Sequence, residues 1–153
     1  MLKAVRKTKA TKAGGSFAIV ASRYNAKYVD GMLNAAAREL KRAGAKVRIV
    51  RVPGAYEIPV VTARLSATNP KPSAIICLGV ILRGETTHAQ HIGEAVSQAL
   101  MQIQLQHSVP VIHEVLLLEN KQQAEARCLD PKHNRGVEAA QTALEMARVM
   151  AAL

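Results

Sequence analysis

Aromatic side chains are scarce. They make up 3% of 153 residues, with no Trp, Phe17 as the one Phe, and Tyr24, Tyr28 and Tyr56. Stacking successive bases of a single-stranded nucleic acid needs more aromatic platforms than this. Cysteine is scarce too: Cys77 and Cys128 lie far apart, without a CxxC or an adjacent Cys/His pair. That excludes a disulfide scaffold and a Cys-based zinc site, and reads as two reduced, buried thiols of a soluble cytosolic protein. No window approaches the ~18 uninterrupted apolar residues of a spanning helix. There is no P-loop, no GxGxxG and no GxSxG, so nucleotide hydrolysis and serine-type acyl transfer lose most of their support.

No acidic residue occurs before Asp30, whereas Lys3, Arg6, Lys7, Lys9 and Lys12 place five positive charges in the first twelve positions. The chain carries 21 basic and 11 acidic residues, a net charge of +10, and without those five the balance falls to +5. The basic excess is partly a tail, residues 1–15, which can be a solvated arm or a contact for RNA, a subunit or an anionic surface. The stretch has the charge of a transit peptide but no apolar core for secretion. With 49% apolar and 21% charged residues, the remainder is globular and long enough to bury a core unaided.

From residue 16 the pattern alternates between β runs and helical runs. Phe17 to Ala21 is a short apolar run expected of a buried parallel strand. Val29, Met32, Leu33, Ala36 and Leu40 recur at helical spacing, and Gly44 ends that helix. Val47–Val52 is a second strand closed by Pro53-Gly54, and residues 56–66 carry Ile58, Val61 and Leu65 at helical spacing, with Pro59 in the first turn. Ala74–Leu82 is the most apolar run, a central strand buried on both faces. A long helix with Ile92, Ala95, Val96, Ala99, Leu100 and Ile103 inward follows it. Val109–Leu118 is a fourth strand, Lys121–Arg127 a short helix, and Val137, Ala140, Leu144 and Ala147 mark a last helix. The pattern predicts one α/β domain over residues 16–153. Its architecture is a three-layer αβα sandwich on a four-stranded parallel sheet, doubly wound and flavodoxin-like. Ligands of such sheets sit beyond the carboxyl ends of the strands.

Those ends carry the candidate chemistry. Gly79 to His88 runs from a buried strand through Arg83-Gly84-Glu85-Thr86-Thr87 into a helix. Free amides and the dipole at that helix start suit a phosphate, and His88 in its first turn can pass protons near neutral pH; capping and surface roles are the plainer alternatives. His88, His91 and Glu94 share one helical face, a weak metal-ligand spacing that is not HExxH. Glu57, after the Pro53-Gly54 turn, is either a surface acid at a helix start or an acceptor for polyol hydroxyls. Tyr24 is a surface aromatic or a ring for a flat heterocycle. Arg127, with Lys132, His133 and Arg135 after it, is a solvated helix end or a phosphate fork.

Together these segments resemble the lumazine synthase family, which makes 6,7-dimethyl-8-ribityllumazine, the direct precursor of riboflavin. The resemblance covers about residues 16–150. It rests on Arg23-Tyr24-Asn25, on Val52-Pro53-Gly54-Ala55-Tyr56-Glu57-Ile58-Pro59, on Gly79 to His88, and on Gln123 to Arg127 with Asn134-Arg135-Gly136. It implies condensation of 5-amino-6-(D-ribitylamino)uracil with 3,4-dihydroxy-2-butanone 4-phosphate, without metal or organic cofactor. By the same resemblance Tyr24 stacks on the pyrimidine, and Ala55, Tyr56 and Glu57 contact the pyrimidine and its ribityl chain. Val80, Ile81 and Leu82 offer the backbone edge that reads the uracil. Glu85 and Thr86 face the phosphate with Arg127, and His88 shuttles protons. The site is shared between neighbouring subunits of a homo-pentamer, and pentamers stay single, pair into decamers or close into 60-subunit icosahedral shells. Neither a membrane nor nucleic acid is an expected partner.

Three positions depart from the pattern. His113-Glu114 stands where the family has Phe-Gly, and Arg135 where it has Lys. The Phe position contacts the pyrimidine across the subunit boundary; His113 there can stack and hydrogen-bond. The alternative function is a catalytically weak lumazine- or flavin-binding, or shell-forming, paralogue.

Overall fold

A computed structural model describes residues 1–6 and 14–153 of the chain. Lys7, Lys9 and Lys12 of the basic tail fall outside the described residues. The strands are β1 (Ser16–Ser22), β2 (Lys46–Val52), β3 (Ala74–Leu82) and β4 (Val111–Leu118), and the helices α1 (Ala26–Arg42), α2 (Ile58–Ser66), α3 (His88–His107), α4 (Lys121–Cys128) and α5 (Arg135–Ala151). All strand pairs are parallel, in the order β2-β1-β3-β4. This is the expected α/β architecture. Residues 55–57 form a separate 3-10 turn before α2, because the α-helix starts only at Ile58, with Pro59 in its first turn where its missing N–H costs nothing.

The sheet divides two apolar cores. On one face Phe17, Ile19, Ile76 and Leu78 pack against Val29, Met32 and Leu40 of α1 and Ala139, Ala140 and Leu144 of α5. On the other, Val20, Ile75, Cys77 and Val115 pack against Ile58 and Leu65 of α2 and Val96, Leu100 and Ile103 of α3. β3 is buried from Ala74 to Ile81, as a continuous apolar run on a central strand requires. Cys77 is fully buried beside Thr62 Oγ1 at 3.3 Å, and burial pushes its thiol up to about 12. β2, at one edge, exposes Lys46 and Arg48, charges that discourage further strand pairing.

β1 connects to β2 on one side and β3 to β4 on the other, so the strand order reverses between β1 and β3. Pairing of β1 with β3 ends at Ala21–Leu78, whereas β3 runs alongside β4 to Leu82–Leu118. A cleft therefore opens beside the last residues of β3, at the place where doubly wound sheets bind ligands. Residues 1–6 lie near α5, where Val5 N donates to Lys132 O and Gln141 Nε2 donates to Arg6 O. Among the described residues no helix is long and apolar enough to cross a membrane.

Candidate active site

Asn25 opens the cleft. It adopts φ 57°, a left-handed conformation that Asn tolerates better than most residues. From there its Nδ2 donates to Val80 O at 2.7 Å, tying the β1–α1 turn to the free stretch of β3. Tyr24, next to it, stands 74% exposed. The turn after β2 supplies a second wall: Glu57 Oε2 accepts from Gly54 N at 3.0 Å, which holds the carboxylate over the turn, and Tyr56 is 66% exposed. Tyr28 is buried, so the two solvent-facing tyrosines are the two that flank this cleft.

A cavity of about 570 Å3 lies between these turns, lined by Tyr24, Asn25, Gly54, Ala55, Tyr56, Glu57, Val80, Ile81, Leu82, Gly84, Thr86, His88, Ala89 and Ile92. Nine of the residues expected from the sequence meet here: Tyr24, Ala55, Tyr56, Glu57, Val80, Ile81, Leu82, Thr86 and His88. The backbone of β3 is not uniform along this wall. Ile75 N donates to Pro110 O and Arg83 N to Leu118 O, so odd-numbered residues of β3 address β4 and even-numbered ones address β1. Ile81 thus spends its main-chain groups on β4 and contributes its side chain. Leu82, beyond the last β1 pair, turns its N–H and C=O to the cleft.

The start of α3 closes the far end. Thr87 is the N-cap and makes no side-chain capping bond, and His88 N approaches Thr86 Oγ1 at 3.4 Å. The start of α3 thus borders the cavity through Thr86, His88 and Ala89 without a cap from Thr87, and its dipole suits an anion there. Glu85 sits in the exposed turn before Thr86, outside the cavity lining. His91 turns back on Thr87 Oγ1 at 3.3 Å and Glu94 Oε1 accepts from Gln90 Nε2 at 2.9 Å. Among the described residues no three His, Cys, Asp or Glu side chains cluster at metal-binding distance.

His113 and Arg127 lie apart from this cavity. Arg127 borders a different hollow with Arg135, Glu138 and Gln141, and its Nη1 reaches Gln123 O at 3.4 Å. Among the described residues no carboxylate lies within ion-pair distance of it. His113 sits on β4, at the opposite edge from β2, with Nε2 2.7 Å from Ser97 Oγ. The unexpected Glu114 has a partner: its two oxygens accept from Arg135 Nε at 3.2 Å and Nη2 at 3.1 Å, and Arg135 Nη1 donates to Glu138 Oε2 at 2.7 Å. Burial raises the Glu114 carboxyl above its usual range, against the pull of Arg135. Glu114 and Arg135, two of the three departures from the resembled pattern, are thus two halves of one forked ion pair.

Sequence reasoning left out Asn25, Gly54, Gly84, Ala89 and Ile92 as cavity walls. Asn25 had a readable signal, an Asn in the polar turn between a strand and a helix, where a left-handed residue is common; Ala89 and Ile92 read only as helix stripe. The family model of 6,7-dimethyl-8-ribityllumazine synthase matches residues 14–151. A 6,7-dimethyl-8-ribityllumazine synthase of Stenotrophomonas maltophilia (strain R551-3) is 40% identical over 143 residues, 92% of each chain. That of Xanthomonas oryzae pv. oryzae (strain PXO99A) is 41% identical over 137 residues, 88% of each. With a family match across almost the whole chain, and relatives of equal length at this identity, the chain belongs to the 6,7-dimethyl-8-ribityllumazine synthase family.

Proposed function

We infer that the protein condenses 5-amino-6-(D-ribitylamino)uracil with 3,4-dihydroxy-2-butanone 4-phosphate to 6,7-dimethyl-8-ribityllumazine, releasing phosphate and water. The observation that carries this reading is the cavity at the reversal point of the sheet, where three separated segments deliver Tyr24, Tyr56-Glu57, and Leu82 with Thr86 and His88 to one volume.

The residues divide between the two substrates by chemistry. A uracil edge alternates acceptor and donor, and the N–H and C=O of Leu82 are complementary to it on one strand edge. Tyr24 supplies a flat exposed face for the ring. Ala55, Tyr56 and Glu57 lie along the ribityl chain, with Glu57 accepting from hydroxyls. The phosphate sits at the start of α3 with Thr86 and the adjacent Glu85 turn. The 5-amino group attacks the ketone and loses water to give an imine, phosphate leaves by elimination, and the ribityl-bearing nitrogen closes the second ring with loss of water. His88, beside the phosphate end, moves the protons. Holding an amine and a ketone in contact supplies much of the rate.

Arg127 and His113 complete the site of an adjacent copy. Both lie away from the cavity of their own subunit, Arg127 keeps most of its donors unspent, and Val60, Met101 and Leu105 on α2 and α3 are 69%, 55% and 72% exposed, an apolar surface suited to a second copy. The homo-pentamer is the assembly proposed, acting in the cytoplasm, with residues 16–153 as the catalytic domain and residues 1–15 as an extension outside it. The test is an assay of purified protein with both substrates, following lumazine absorbance and released phosphate together. Stoichiometric appearance of both supports the reading. Folded, oligomeric protein that binds the pyrimidine and yields neither product replaces it with a binding or shell-forming role.

A further inference from the structure

The open edge of β4 carries His113, one of the residues that depart from the resembled pattern, and its hydrogen bonds are unusual. Even-numbered residues of β4 address β3, since Pro110 O and Leu118 O accept from Ile75 N and Arg83 N. The amides of Val111, His113, Val115 and Leu117 therefore face outward, a row of donors that would pair with any strand. Two of the four are stopped by side chains. Val111 N donates to Gln104 Oε1 at 2.9 Å, and Val115 N donates to His113 Nδ1 at 3.1 Å.

The second bond settles the state of the imidazole. A main-chain amide only donates, so Nδ1 carries no proton and the ring is neutral with its hydrogen on Nε2. Nε2 then donates to Ser97 Oγ at 2.7 Å, and the Ser97 hydroxyl passes on to Gly93 O at 2.8 Å. These three bonds engage both ring nitrogens and the Ser97 hydroxyl. The ring has no nitrogen left for proton transfer, and its plane is fixed between β4 and α3. What stays available on the outward edge between the two capped amides is the N–H of His113 itself.

We propose that His113 is a positioning residue for the condensation: its neutral side chain caps the Val115 amide, blocks strand pairing along β4, and holds the His113 main-chain N–H exposed as the donor that this edge offers to the pyrimidine in the neighbouring copy's cavity. This rests on the shared-site reading above. Protonation of Nδ1 would set two donors against each other and release the ring. The environment favours the neutral form: burial lowers the His113 pKa below its usual value and outweighs a hydrogen bond to the residue's own backbone that favours the charged ring. Little charge faces the ring. From α3 come Ser97 and, one turn before it, Glu94, whose carboxylate accepts from Gln90 Nε2. From β3 comes Cys77, the register partner of His113, with its thiol neutral to about 12. Arg83 borders the same surface hollow as Ser97 and Glu94 and is paired with Glu119 at 3.1 Å. Glu114 projects to the opposite face of the sheet, onto Arg135.

The experiment compares wild type, His113→Asn and His113→Phe in steady-state kinetics from pH 5 to 8, with hydrogen exchange of the segment around Val115 measured on the same proteins. In Asn, Oδ1 stands where Nδ1 stood and accepts the Val115 amide without titrating; Phe keeps a ring and loses the acceptor. The wild-type KM for the pyrimidine is expected to rise severalfold as pH falls through the imidazole titration, while kcat shows no matching change. His113→Asn is expected to lose that acid rise, and His113→Phe to show a raised KM at every pH together with faster exchange around Val115. An acid rise that persists in His113→Asn belongs to another group and overturns the proposal, as does a wild-type KM that stays flat, or exchange around Val115 unchanged in His113→Phe. If the wild type makes no lumazine, the catalytic reading falls by itself, and the exchange measurement still decides whether His113 caps the edge.

Discussion

His88 is the first residue of α3 and the one side chain in the cavity with a proton-transfer group suited to neutral pH. Orientation of the two substrates survives its loss, so His88→Ala is expected to lower kcat by ~10- to 100-fold and to leave both KM values within a small factor. Steady-state kinetics with each substrate varied checks this, and an unchanged kcat would remove His88 from the reaction. Two residues away in kind is the pair Glu114–Arg135. A carboxylate 5% exposed would be costly alone, and the bidentate guanidinium is what makes it tolerable. His113, its neighbour, ties stability to pH. Its folded-state pKa lies below the ordinary value of 6.5, so the unfolded chain binds the proton first as pH falls. The contribution is complete above pH 6.5 and is lost below it; His113→Asn is expected to flatten the acid limb of a plot of Tm against pH.

At the scale of elements, the layer formed by α1 and α5 is set by how closely two backbones approach. A Cβ on Gly136, at the start of α5, would collide with the carbonyl of Met32 in α1 and lie 2.7 Å from its carbon. One on Gly31 would lie 2.6 Å from Cys128 O. Asn134, which caps α5 through Gly136 N at 2.8 Å, also donates to Cys128 O at 2.8 Å and Gly31 O at 3.2 Å, so the junction of α1, α4 and α5 is one joined unit. Main chain cannot yield as a flexible side chain does. Gly136→Ala is therefore expected to cost about 3 kcal/mol or more, read as a lowered midpoint in urea unfolding. The same junction holds Arg127 in α4 and Arg135 at the start of α5, neither of which lines the cavity between the turns that carry Tyr24 and Glu57.

For the whole molecule, the proposed shared site implies that one chain carries two halves of different sites. The cavity belongs to the β1–β3 reversal, while His113 and Arg127 lie toward the β4 edge. If the halves meet between copies, defects in each can be sorted into separate sites. Co-assembly of His88→Ala and Arg127→Ala subunits in equal amounts is expected to restore activity at about one site in four, where an intact cavity meets an intact edge. Activity no greater than the average of the two parent variants would place both residues in one subunit's site. The assay requires refolding or co-expression, so that mixed oligomers form.

Much of this was open to inspection before any coordinates. The unbroken apolar run Ala74–Leu82 can only be a strand covered on both faces, and the 3–4 spacing in α1, α3 and α5 sets which side of each helix is buried, because burial of apolar area is a local and periodic demand. From these came the parallel sheet and its strand ends, while the resemblance to the family assigned most of the residues gathered there. Tertiary structure decided what depends on register and on packing between distant segments. Which of Val80, Ile81 and Leu82 turns its main chain to the cleft follows from the parity of the β3–β4 ladder. That Glu114 answers Arg135, twenty-one residues on, depends on α5 lying across the face of β4. That His113 is a capped, neutral ring, where its sequence allowed a stacking or titrating one, depends on α3 bringing Ser97 within 2.7 Å. Periodicity records which way a side chain faces; only the assembled layers determine what it meets.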